Sequence, residues 1–131
     1  MTESAKELLE RIKKQRPNYA QAKETQTLRS REFLAEHDPE YLKLFHELHM
    51  HVVYEKKALP PKMKELIICA VNAATFYWQG LWIHIRGALD AGATPEEIIE
   101  ALEAASLAGG VHALSQSLPI LDQIMKERGL K

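Results

Sequence analysis

The stretch LPPKMKELIICAVNAATFYWQGLWIHIRGALDAGATPEEIIE, residues 59–100, decides the fold prediction for this chain. Pro60-Pro61 is a helix start, after which apolar residues recur at helical spacing. A second helix is expected over residues 77–91, with Gly92 as a left-handed terminator. Thr94 precedes a proline and two glutamates, which predicts a capping box and a third helix. The segment therefore holds three helices joined by short turns.

The flanking sequence predicts further helices and no strands. Apolar spacing marks a short helix around residues 8–12, and a sparse apolar stripe predicts another over residues 19–36. Asp38 followed by Pro39 is a helix start for the next segment. A last helix is expected over residues 111–128, after a Gly-Gly break. We therefore predict an all-α fold, a compact bundle of about six helices joined by short connections.

Length and composition predict one soluble domain. The chain has 131 residues, of which 46% are hydrophobic and 27% are charged. We expect a single domain over residues 1–131, with an N-terminal helical extension over 1–37 and a core over 38–131. The 17 Lys and Arg nearly balance the 18 Asp and Glu, so no nucleic-acid partner is expected. No apolar run is long enough to suggest a membrane partner.

Cysteine content points to a reducing compartment. Cys69 is the only cysteine of the sequence, which excludes an intramolecular disulfide and a cluster of thiolate metal ligands. A cytoplasmic location is expected. Cys69 lies four residues after Glu65 on the same predicted helix, so the acid should raise the thiol pKa rather than lower it. A small buried hydrophobe is the stronger interpretation of this residue.

The strings LPPKMKELI and IHIRGALDAGATPEEIIEAL resemble the carboxymuconolactone decarboxylase family, which shares its fold with the alkylhydroperoxidase D-like proteins. The resemblance extends from Leu59 into the final helix, about half of the chain. It implies an all-helical protein that assembles as a homo-trimer or homo-hexamer. The redox branch of this fold is peroxiredoxin-like and carries a glutamate upstream of a cysteine–two–cysteine–three–histidine motif.

The resemblance also implies which residues form the site. With the motif histidine placed on His84, the upstream acid falls on Glu65 and the two cysteines fall on Tyr77 and Gly80. The intervening histidine of the redox branch falls on Gln79. Both thiols are therefore absent, and alkylhydroperoxidase activity is less well supported than the other functions described below. The decarboxylase branch also lacks the cysteine pair and has a histidine followed by arginine–glycine–alanine, as at residues 84–88.

The residues themselves suggest acid/base chemistry. Tyr77, Gly80 and His84 share one helical face, and His84 can give and take a proton near neutral pH. Glu65 could orient the imidazole as a catalytic carboxylate does. Arg86 could bind a substrate carboxylate with its forked guanidinium.

The predicted function is that of a decarboxylase-type lyase. It would act without a cofactor on a small carboxylated lactone or a related intermediate of aromatic degradation. Glu65 and His84 would be catalytic, and substrate would contact Tyr77, Gln79, Gly80 and Arg86. No cofactor is expected, since an unsaturated lactone can itself delocalise electrons.

Each of these residues could instead have a purely structural role. Glu65 could merely complement a helix dipole, His84 could be a buried structural histidine, and Arg86 could form an intersubunit salt bridge. A non-catalytic oligomeric module is the alternative function, with an apolar ligand or a partner bound between Tyr77, Trp78 and Trp82.

Two further histidine groups lie outside this segment. His46 and His49 stand at i and i+3, close enough to share a zinc or nickel ion, which is an alternative to a metal-free protein. His51 points elsewhere on that helix. His112 follows the Gly-Gly break at the start of the last helix, where the dipole favours a neutral hydrogen-bond donor. Small residues from 104 to 110 favour close helix packing.

Overall fold

The computed structural model describes residues 3–131 and is all-helical over that range. It contains eight α-helices rather than about six, together with one π-helical turn. The helices are α1 (Ala5–Gln15), α2 (Pro17–Gln21), α3 (Thr27–His37), α4 (Pro39–Met50), α5 (Pro61–Ala74), α6 (Trp78–Asp90), α7 (Pro95–Gly109) and α8 (Val111–Glu127), with the π turn at His51–Glu55 after α4. The all-α prediction is confirmed.

The chain divides into two compact units, one ending at Ala58 and the other spanning Leu59–Lys131. Helix α4 packs against α1 and α3 within the first unit. The expected single domain, with an extension over residues 1–37 and a core over 38–131, stays a prediction. Within residues 3–131, the helices are too short or too polar for any of them to cross a lipid bilayer.

The first unit is built on a capped helix and an unexpected turn. Ser4 accepts from the backbone N–H of Glu7, which completes a capping box for α1. The single helix predicted over residues 19–36 is wrong, because the backbone leaves the helical region at Ala22. The hydroxyl of Thr25 donates to the carbonyl of Ala22 and accepts from the N–H of Thr27, which fixes a turn between α2 and α3.

Helix α4 begins where the sequence predicts. Asp38 Oδ1 accepts from the N–H of Tyr41 at 3.2 Å, and Pro39 holds the first helical position. Its buried side is formed by Leu42 and His46. An apolar face is left exposed along α4 and the π turn, and consists of Tyr41, Leu44, Phe45, Leu48 and Val52. An amphipathic helix ordinarily buries its apolar residues, whereas this α4 face leaves five large apolar side chains exposed.

The second unit has a continuous apolar core. Helix α5 packs against α6 and α7, and α8 covers α6 and α7. The core residues include Leu81, Ile85, Ile98, Leu102, Leu121 and Ile124. The predicted helix end and helix start are confirmed: Gly92 has φ +97°, and the Thr94 hydroxyl accepts from the N–H of Glu97. A Cβ on Gly109 would come within 2.8 Å of Ala74 Cα, so the small residues of α7 serve helix packing as predicted.

Candidate active site

A tight turn folds α5 back onto α6 and brings their side chains together. The hydroxyl of Thr75 donates to the carbonyl of Val71 at 2.8 Å, and the N–H of Tyr77 donates to the carbonyl of Asn72 at 2.8 Å. Phe76 between them has φ +59°, a left-handed conformation that non-glycine residues seldom adopt. The three-residue connection makes α5 and α6 antiparallel neighbours, as the sequence pattern predicts.

Glu65 and His84 meet across this helix pair. Nδ1 of His84 is hydrogen-bonded to Oε2 of Glu65 at 3.0 Å. Glu65 is fully buried and the His84 side chain is only 12% exposed. An ionised carboxylate can only accept, so in the acid/base arrangement proposed below Nδ1 carries the proton of this bond. Proton exchange with a ligand would then use Nε2, and the buried carboxylate would stabilise the imidazolium form.

The burial of Glu65 argues against a role in helix capping. The first turn of α5 contains no acidic residue, since Glu65 is the fifth residue of the helix. Its second oxygen, Oε1, is buried and accepts no hydrogen bond from residues 3–131. A buried carboxylate is costly unless it is paired. The hydrogen bond with His84 provides this partner, so Glu65 and His84 form a pair.

Cys69 lies beside this pair but is not poised for nucleophilic attack. It is fully buried, one helical turn after Glu65. Burial raises the pKa of the thiol well above its usual value, and the nearby Glu65 carboxylate adds to the rise. The predicted direction is therefore confirmed, although desolvation is the larger cause. A thiol with a raised pKa is a poor peroxide nucleophile.

Gly80 lies close against the side chain of Asn72 on α5. A Cβ at this position would lie 2.4 Å from Nδ2 and 2.7 Å from Cγ of Asn72, and 2.7 Å from Cδ2 of Tyr77. A side chain at position 80 would therefore displace both neighbours. Sequence reasoning identified Tyr77 and Gly80 but missed Asn72. The available signal was its position seven residues after Glu65, which places both on one face of α5.

Arg86 is engaged within the second unit. It is 2% exposed, its Nη2 donates to Glu127 Oε2 at 2.8 Å, and its Nη1 donates to the carbonyl of Trp82 at 3.1 Å. The ion pair is with α8 of the same chain rather than with another subunit. These contacts give Arg86 a structural role between α6 and α8. Its role as substrate anchor stays a prediction, and the contacts do not support it.

The remaining predicted positions differ in exposure. Tyr77 is 54% exposed and Gln79 is also exposed, so both remain accessible at the start of α6. Trp78 and Trp82 are partly buried and pack against the apolar core. Of Tyr77, Trp78 and Trp82, Tyr77 is therefore the aromatic side chain most accessible to a ligand.

His46, in the first unit, has a very different environment. Its Nε2 lies 2.7 Å from Oε1 of Gln15, and its Nδ1 is buried with no hydrogen-bond partner within residues 3–131. Burial, followed by the charges of Arg11, Arg16 and Arg31, lowers its pKa to about 4. Three cations around the ring also disfavour a metal ion, which weakens the alternative that His46 and His49 share zinc or nickel.

Histidines 51 and 112 lie at the surface. His51 Nδ1 is 2.9 Å from Glu55 Oε2, an exposed pair one helical turn apart. His112 is exposed at the first turn of α8. Neither belongs to the Glu65–His84 pair.

Comparisons with known proteins identify the family and the fold of this chain. The sequence pattern described as the carboxymuconolactone decarboxylase family matches residues 39–123, which include both Glu65 and His84. A crystal structure from Burkholderia xenovorans LB400, provisionally named a carboxymuconolactone decarboxylase, superposes with a TM-score of 0.67 at 22% identity. The alignment covers 92% of this chain and 96% of that one, and at this identity it supports the fold alone. No curated protein matches in sequence. The chain belongs to the carboxymuconolactone decarboxylase family.

Proposed function

We propose that this protein is a cofactor-independent acid/base enzyme that decarboxylates a small carboxylated lactone. The observation that carries the proposal is the 3.0 Å bond between His84 Nδ1 and the fully buried carboxylate of Glu65. Such a carboxylate orients an imidazole and stabilises its protonated form, as in other acid/base pairs. Membership of the decarboxylase family supports the choice of reaction.

The proposed reaction assigns one proton transfer to His84. The bond between a ring carbon and the carboxylate carbon of the substrate breaks, and CO2 leaves. The electron pair passes into the unsaturated lactone and reaches its carbonyl oxygen. The imidazolium of His84 then donates its Nε2 proton to a ring carbon, and water returns a proton to the imidazole. The net reaction consumes one proton and neither oxidises nor reduces the substrate, which is why no redox cofactor is needed.

Replacement of His84 by alanine tests the proposal. Loss of a general acid typically costs about 10²- to 10⁴-fold in turnover, so we expect a loss of that size. The matched control is His112→Ala, since His112 is exposed at the start of α8. Turnover of carboxymuconolactone is followed by CO2 release, and size-exclusion chromatography checks that both variants keep the wild-type assembly. Unchanged turnover in His84→Ala would overturn the mechanism.

A second candidate is a ligand-binding protein without catalysis. It is favoured by the 54% exposure of Tyr77, next to the partly buried Trp78 at the start of α6. A ligand held there would change tryptophan fluorescence. The same carboxymuconolactone titration distinguishes the two candidates, because this one gives a fluorescence change and no CO2.

We also propose that the protein self-associates, as a trimer or a hexamer. The support is the exposed apolar α4 face, defined above, which a monomer would leave in contact with water. In the second unit, Met63, Ile67 and Val71 form a similar exposed apolar row on α5. Sedimentation of the wild-type protein measures the assembly directly.

A further inference from the structure

Helices α5 and α7 lie side by side and leave an open groove between them on the surface of the second unit. Nζ of Lys62 and Oε2 of Glu97 are 3.0 Å apart where the two helices begin, and Gly109 packs against Ala74 where they end. The stretch between these contacts is about 18 Å long, at about 1.5 Å for each helical residue. This α5–α7 groove has a volume of about 370 Å³ and is lined by Met63, Leu66, Ile67, Ala70, Glu97, Glu100, Ala101 and Ala104.

The α5 wall of the groove is apolar and exposed. Met63, Ile67 and Val71 recur at i, i+4 and i+8 on one side of the helix and are 42%, 46% and 54% exposed. The floor between the helices consists of small side chains, among them Ala70 and Ala101, so a bulkier side chain can lie over it. A contiguous exposed apolar row marks a surface that contacts a partner.

The α7 wall is acidic. Glu96, Glu100 and Glu103 stand at i, i+4 and i+7, so they form one ridge along the exposed side of α7. Helix α7 contains no lysine or arginine. None of the residues from 3 to 131 forms an ion pair with any of these three side chains. This acidic ridge therefore places three uncompensated negative charges along the apolar row.

We propose that the α5–α7 groove binds an amphipathic helix of another protein, one with apolar residues along one side and lysine or arginine beside them. The apolar side would lie on Met63 and Ile67, and the cations would face the acidic ridge. Helices bind in grooves through apolar anchors about one turn apart, and opposite charges at the rim select the partner. This binding surface is separate from the Glu65–His84 pair and does not depend on the proposed reaction.

The α4 face of a second copy of this chain matches the groove less well. Along one side this face is bordered by Glu40 and Glu47, which are exposed. They would bring further negative charge towards the acidic ridge, and like charges facing each other disfavour a partner. The charge of the ridge therefore favours a basic helix over this α4 face.

Fluorescence anisotropy with a labelled synthetic peptide tests the inference. The probe is an amphipathic helix about three to four turns long, in which leucine lines one side and lysine fills the other positions. Its comparator has glutamate in place of every lysine. We expect the wild-type protein to bind the leucine–lysine peptide at least about tenfold more tightly than the leucine–glutamate peptide. Added salt should weaken the first interaction, since charges at the rim are screened.

Two pairs of variants locate the binding surface. Glu100→Lys reverses a charge in the middle of the ridge, whereas Glu36→Lys makes the same change of net charge on the exposed side of α3. Ile67→Ser removes an apolar contact from the groove, whereas Val111→Ser removes an exposed one at the start of α8. All four positions are exposed, so the fold should be kept.

The groove variants should bind the leucine–lysine peptide more weakly than their controls do. We expect a loss of between about three- and tenfold for Glu100→Lys, as for a charge at a solvated rim. A loss of about tenfold is expected for Ile67→Ser, because apolar burial is reduced. Glu36→Lys and Val111→Ser should bind nearly as the wild type does.

Three results would overturn the inference. The first is a wild-type protein that does not bind the leucine–lysine peptide, or binds the leucine–glutamate peptide equally well. The second is equal binding by the wild type, Glu100→Lys and Ile67→Ser. The third is a smaller assembly of Ile67→Ser in sedimentation without peptide binding by the wild type, which would assign the groove to a second copy. Turnover of carboxymuconolactone should be the same in Glu100→Lys and the wild type, so the proposed function is tested separately.

Discussion

His84 and His46 are both largely buried, and each is hydrogen-bonded to a side chain from another helix. His84 is bonded to the carboxylate of Glu65 in the second unit, and His46 to the amide of Gln15 in the first. Burial, and then the charges of Arg11, Arg16 and Arg31, lower the pKa of His46 to about 4. A histidine with such a pKa stays neutral at physiological pH.

The two histidines differ in the charge of the side chain to which each ring is bonded. Gln15 holds the ring of His46 in place without offering it a counter-charge. Glu65 holds the ring of His84 and also balances a positive charge that forms on it. Substitution of these partners, or a change of pH, should therefore affect the two histidines differently.

The largest effect is expected when His84 is given an amide partner, as His46 has in Gln15. Glu65→Gln replaces the carboxylate by an amide of almost the same shape, so the ring loses its counter-charge and the bond that fixes its tautomer. We expect kcat/KM for carboxymuconolactone to fall by between about 10- and 100-fold. Rates measured from pH 5 to 9, with the exposed Glu103→Gln as control, check this. Equal rates for wild type and Glu65→Gln would show that the carboxylate is only structural.

A smaller effect concerns the stability of the first unit at acid pH. The pKa of His46 is about 4 in the folded protein, against 6.5 for the ordinary group. At pH values between these two, the unfolded chain therefore binds a proton that the folded chain does not bind. Stability is therefore full above pH 6.5 and falls as the pH drops towards 4. Because the charges of the partly exposed Arg11 and Arg31 are screened, we expect a loss of about 1–2 kcal/mol from this histidine. Urea denaturation at pH 7, 5.5 and 4.5 measures it.

Gln15→Glu is the matched variant for that measurement. A carboxylate beside His46 would stabilise the protonated ring and offset the arginine charges. The acid-induced loss of stability should then be smaller than in the wild type. An identical pH profile for the two proteins would mean that other groups, such as the paired carboxylates, account for the acid sensitivity.

Local sequence signals predicted much of the helical framework. Asp38 and Thr94 start their helices as expected, and Gly92 adopts the positive φ of a terminator. These residues act through bonds to neighbours within a few positions, which the sequence displays directly. The helix predicted over residues 19–36 failed because the Thr25 turn competes with helical bonding, and the apolar spacing there is too sparse to reveal it.

The candidate site was predictable only in part. The Glu65–His84 contact follows from helical spacing and the family resemblance, since both residues face the partner helix. Asn72 was missed because its meaning depends on the close approach at Gly80, which only the folded chain shows. Glu127, the partner of Arg86, is 41 residues away in sequence. No local pattern could have told whether that arginine was free to anchor a substrate.

A double-mutant cycle of carboxymuconolactone turnover measures whether Glu65 and His84 act together. If Glu65 acts only through the imidazole of His84, the Glu65→Gln/His84→Ala protein should be no slower than His84→Ala alone, because the carboxylate has nothing left to orient. The two single losses would then be far from additive. Losses that multiply in the double variant, or a Glu65→Gln effect that persists undiminished without His84, would contradict the account.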